Sequence, residues 1–108
     1  MQVAESSSAI RSARLEKLIR LYETGQVSDL MDRVLVKAFA QEAAEAEAAI
    51  KRIDSDLQAY EAQYGMSSES FYRQFRAGEL GDKMDFIEWG SLIMMKNDLQ
   101  QRLELLLD

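Results

Sequence analysis

The chain contains no cysteine, no histidine and no proline, and only five of its 108 residues are glycine. Without cysteine there can be no disulfide, no zinc–thiolate site and no thiol nucleophile. Without histidine the commonest general base and the commonest metal ligand are both missing. The absence of proline and the scarcity of glycine favour a chain that is nearly all helix. Long apolar runs are also missing. The longest are only a few residues, such as Leu92 to Met95, so no helix is expected to span a bilayer. The opening MQVAESSS, Met1 to Ser8, has neither a basic n-region nor an apolar h-region, and a cytoplasmic chain is expected.

What is present is an ordinary folded composition, 47% hydrophobic and 30% charged. The length suits one small helical domain over residues 1–108. Thirteen Lys and Arg face nineteen Asp and Glu, a net charge of −6. That excess repels phosphate backbones, so nucleic-acid binding is disfavoured. Arg11, Arg14, Lys17 and Arg20 cluster in the first helix, but Glu16 and Glu23 lie among them. The charged outer face of an amphipathic helix accounts for them equally well.

The glycines divide the chain. A first helix is expected over 8–24, with Ile10, Leu15, Leu18, Ile19 and Tyr22 in one broad stripe and Gly25 as its C′ residue. Met1 to Glu5 are expected to fray. A long helix follows over 28–64, with Ser28 as N-cap and Gly65 after its end. At 1.5 Å per residue it would run roughly 54 Å, so it must pair lengthwise with another helix or project. Val36, Ala43, Ile50 and Leu57 recur every seven residues, and Phe39, Ala46, Ile53 and Tyr60 sit three after each. This is a sustained heptad seam, and with Ala at its centre it predicts a closely packed coiled coil. These eight residues form the expected oligomer interface, although helices of the same chain could fill the seam instead.

A short helix is expected over 68–77, capped by Ser67, with Met66 stapled to Phe71. A fourth is expected over 86–107, with Asp85 as N-cap, Glu88 completing a capping box and Met84 stapled to Trp89. Trp89, Leu92, Leu99, Leu103 and Leu106 make its apolar side, interrupted by Lys96, which either awaits an acidic partner or snorkels. Folded back, this helix would bury Trp89, Leu92, Leu99 and Leu103 against Leu57, Ile53 and Ile50. The expected fold class is therefore all-α, a long coiled-coil helix with the C-terminal helix folded back in an elongated hairpin. Such a hairpin buries little apolar surface alone, so a homodimer or larger self-assembly is expected.

Catalytic chemistry has little to stand on. Asp82, Asp85 and Glu88 could serve as acid and base, but capping explains them. There is no Gly-rich phosphate loop, and a serine nucleophile would lack its histidine. No catalytic residue, metal site or cofactor is expected. The aromatics are more informative: Phe71, Tyr72, Phe75, Phe86 and Trp89, five of nine, fall within nineteen residues. They are either the core of the hairpin tip or, with Leu80, a partner-binding surface.

The segment from Tyr64 to Trp89, YGMSSESFYRQFRAGELGDKMDFIEW, resembles a C-terminal signature of small helical bacterial and archaeal proteins. Those proteins have a long helix ending in YGM, a Ser-rich cap, a Phe-Tyr pair, a GELGD-like turn and a DFxEW helix start. Leu21 to Val36 also looks like the cyanobacterial members. Their genes often lie beside small toxin-like genes, which implies an antitoxin-like role and a small basic toxin-type partner. The resemblance supplies no catalytic residues. The chain departs from many type II antitoxins in showing no recognisable DNA-binding module. The competing expectation is a structural, homo-oligomeric coiled coil whose aromatics serve only its own assembly.

Overall fold

The computed structural model describes residues 3–107, with side chains described from Ser7 onward. Among these residues there are four helices and no strand: α1 Val3–Glu23, α2 Asp29–Tyr64, α3 Ser68–Arg76 and α4 Met84–Leu107. The all-α class and the long second helix are as expected. The first helix starts five residues before the expected Ser8, because nothing between Val3 and Ser8 breaks a helix. The fraying expected of Met1 and Gln2 concerns residues outside the described range. The described chain forms two compact units, one up to Lys37 and one from Ala38.

In the first unit α1 ends in a Schellman turn. The Gly25 amide donates to the Tyr22 carbonyl and the Gln26 amide to that of Leu21, with Gly25 at φ +69°. Ser28 then caps α2, its hydroxyl accepting from the Met31 amide at 3.1 Å. The Tyr22 hydroxyl donates to Asp32 at 2.7 Å and ties the two helices together. That bond raises the Tyr22 pKa above its usual value, since ionisation would place a phenolate beside a carboxylate. Leu18, Leu21, Val27 and Leu35 are half-buried, and no described side chain in this unit is fully buried.

In the second unit α4 runs back along the C-terminal part of α2. Tyr64 meets Asp85, Tyr60 stacks on Trp89, Asp54 pairs with Lys96 at 2.6 Å and Glu42 with Arg102 at 2.5 Å. As one partner number falls the other rises, so the pair is antiparallel. Of the two readings of Lys96, an acidic partner or a snorkelling stem, the pairing with Asp54 of the same chain supplies the acidic partner. Ile53, Leu57, Phe71 and Trp89 form the buried core, flanked by Leu92, Ile93 and Leu99 of α4.

The start of α4 differs from expectation. The helix begins at Met84, and the Lys83 carbonyl accepts from the Phe86 and Ile87 amides at 2.9 and 3.0 Å. Asp85 is therefore inside the first turn and does not form the expected capping box with Glu88. Its carboxylate accepts instead from the Tyr64 hydroxyl and, at 3.4 Å, from the Gln63 amide. The position still suits an acid, because the helix dipole favours negative charge there. Met84 is 76% exposed and cannot staple to the fully buried Trp89.

Candidate functional site

The aromatic segment is gathered by α3, a nine-residue helix whose ends are well satisfied. Ser67 caps it by accepting from the Ser70 amide at 3.1 Å, and the Ser68 amide donates to Glu61 of α2 at 2.8 Å. At its other end Gly78, at φ +76°, donates to the Phe75 carbonyl and Glu79 to that of Gln74, a second Schellman turn. Pinned at both ends, α3 lays Phe71 flat on Trp89, ring centroids 3.8 Å apart and planes 5° from parallel. Tyr60 and Tyr64 of α2 stack on the same indole at 5.5 and 5.9 Å. The indole N–H donates to the Ser68 hydroxyl at 2.9 Å, so the polar end of the buried ring is satisfied.

Phe71 and Trp89 have no exposed surface, while Tyr72, Phe75, Leu80 and Phe86 are half-buried around them. The six residues that the sequence singles out for partner binding are therefore brought together. Two of them form the centre of the chain's own core, and the other four form its rim. Tyr60 shows how the cluster affects titration. Burial, with the Glu88 carboxylate adding to it, pushes its phenol up to about 12.

The heptad seam divides along its length. Ala43, Ala46, Ile53 and Leu57 are buried, and Ile50 and Tyr60 are half-buried. Around Ile53 and Leu57 the neighbours are Leu92, Ile93 and Leu99 of α4, so that stretch is filled from within the chain. Phe39 and Val36, in contrast, are 54% and 61% exposed.

Between α2, α3 and α4 an open groove of about 330 Å³ is lined by Leu57, Tyr72, Ile93, Lys96, Asn97 and Gln100, among others. Its lysine is paired with Asp54, and its tyrosine hydroxyl accepts from Arg76 at 3.3 Å. Among the described residues no buried side-chain polar atom lacks a partner, and no group of acidic side chains converges as a cation site. No helix among them is long and apolar enough to cross a membrane.

No known family, curated protein or solved structure matches the chain.

A further face of the second unit carries Met84, Met94 and Met95, whose soft apolar side chains lie beside the aromatic segment in the sequence, and to them the structure adds Ile87. Met84, Ile87, Met94 and Met95 are all exposed on α4. At 3.6 residues per turn they share an arc of about 100°, away from the buried Trp89. Ser91, Asp98 and Arg102 lie within that arc, Arg102 paired with Glu42, and Glu88 borders it. The signal in the sequence was the seven-residue step from Ile87 to Met94, out of phase with the Trp89, Leu92, Leu99 series.

Proposed function

We propose that the protein is a non-enzymatic interaction module, an antitoxin-like inhibitor that covers a small basic toxin-type partner. The observation that carries this reading is the methionine-bearing face of α4, set in the acidic part of the chain. Residues from Ala38 onward carry fourteen Asp and Glu against seven Lys and Arg. Methionine is flexible and polarisable and moulds itself to a partner's apolar side chains. The surrounding acids select a partner of opposite charge and speed its approach. Docking rests on this face and on the half-buried rim of Tyr72, Phe75, Leu80 and Phe86. Phe71 and Trp89 hold the rim in place from beneath.

The competing reading, a structural homo-oligomer without a toxin partner, draws support from the complete burial of Phe71 and Trp89. Capture of the tagged full-length chain from its own cells separates the two readings, once the captured basic protein is purified and titrated directly. The inhibitor reading expects a small basic protein encoded beside this gene, neutralised by the wild-type chain. It also expects binding to weaken with added salt and in the Met94→Lys, Met95→Lys double variant. If no basic protein is captured, or if it binds the double variant equally well, the structural reading takes its place.

A further inference from the structure

The first unit exposes an apolar face that its own two helices do not cover. Leu15, Ile19 and Tyr22 follow one another at i, i+4 and i+7 on α1 and are 56%, 47% and 41% exposed. The Tyr22–Asp32 hydrogen bond fixes which side of α2 lies beside that stripe. Val36, one turn beyond Asp32 on the same side of α2, is 61% exposed. The interior of this unit is made only of half-buried side chains. A two-helix pair of that kind buries too little apolar surface to hold itself together.

We infer that this face is covered by a second copy of the chain, giving a twofold dimer in which two helix pairs pack into a four-helix layer. Charge favours a copy over a strongly charged partner. Residues up to Lys37 carry six Lys and Arg against five Asp and Glu, in contrast to the acidic remainder. The signs are also separated along the face. Arg11 stands one turn before Leu15 at one end, while Glu23, Asp29 and Asp32, partly offset by Arg20 and Arg33, leave the end near the turn with a net negative charge. An antiparallel twofold pairing carries the Arg11 end of each copy to the acidic end of the other. A strongly acidic or strongly basic partner would leave one of these ends facing its own sign.

The test is sedimentation equilibrium of the full-length chain, with circular dichroism and Trp89 fluorescence to monitor the fold. The wild type is expected to dimerise at micromolar concentration. Ile19→Lys, at an exposed position, is expected to raise the dimer dissociation constant by about thirtyfold or more, as loss of a central apolar contact does. Its indole emission, which reports the second unit, is expected to stay unchanged, while its helicity falls by no more than the share of the first unit that the dimer holds in place. Arg11→Glu is expected to weaken the dimer, and adding Asp29→Arg to restore part of it. A wild type that stays monomeric overturns the inference. So does a dimer that Ile19→Lys leaves intact, because its interface would then lie elsewhere. Both results concern self-association alone, so the proposed inhibitor role stands or falls separately.

Discussion

The indole nitrogen of Trp89 donates to the hydroxyl of Ser68 at 2.9 Å, joining α4 to the first residue of α3. The same residue reaches α2 through its amide, which Glu61 accepts. Ser68 is thus a polar link among three helices at the edge of an aromatic core. Ser68→Ala removes the acceptor and leaves the N–H of a fully buried ring without a partner. The expected loss is about 1–3 kcal/mol. Urea unfolding followed by tryptophan fluorescence measures it, and an unchanged midpoint would show that the bond contributes nothing.

Gly90 is buried against Phe75, and a β-carbon placed there would lie 3.1 Å from Phe75 Cε2. Alanine gains about 1 kcal/mol over glycine in a helix interior. Crowding in a packed core costs about 1–3 kcal/mol. The expected balance for Gly90→Ala is a modest fall in melting temperature. In a Phe75→Leu background the same change is expected to become neutral or stabilising, and a thermal-melt double-mutant cycle reads the coupling. A Gly90→Ala melting point above wild type would mean that the Phe75 ring yields freely.

Tyr60 supplies a pH prediction. Its folded-state pKa of about 12 exceeds the unperturbed value of 10.0, so the folded chain holds this proton more tightly than the unfolded one. The associated stability is complete below pH 10 and is lost as the pH rises through about 12. Ultraviolet titration of the phenols should show a late step that Tyr60→Phe removes. Glu88→Gln should move that step down towards 10 without abolishing it, because burial is the larger cause.

The Lys96–Asp54 pair looks important on a helix diagram but should matter little to stability. Both side chains keep solvent contact, 28% for Lys96 and 41% for Asp54, and exposed ion pairs typically contribute about 0–1 kcal/mol. Lys96→Met is expected to change the unfolding free energy measured in urea by no more than that. A larger loss would mean that the pair is shielded from water.

The sequence carried the helices well, because glycines at positive φ and serine caps mark their ends locally. Gly25, Ser28, Gly65 and Ser67 behave as those signals predict. The start of α4 was misread for a tertiary reason. The Tyr64 hydroxyl, 21 residues away, engages Asp85, and no local rule anticipates such a competitor. Of the heptad positions on α2, Ala43, Ala46, Ile53 and Leu57 are buried while Val36 and Phe39 are exposed, and periodicity alone does not say which helix covers which stretch. Around Ile53 and Leu57 it is α4 of the same chain. The aromatic run was legible as a cluster. Its division into buried centre and half-buried rim was not, because that depends on how Phe71 stacks on Trp89.

The antiparallel return of α4 along α2 has a kinetic consequence. The contacts that close the tip, Tyr64 to Asp85 and Ser68 to Trp89, each span only 21 residues. Short loops of this kind close quickly, and helical topologies dominated by near neighbours form in microseconds to milliseconds. With no proline anywhere in the chain, no prolyl isomerisation can hold back a fraction of the molecules. A stopped-flow refolding trace of this unit, reported by its single tryptophan, should therefore lack the slow tail that prolyl isomers leave in many domains.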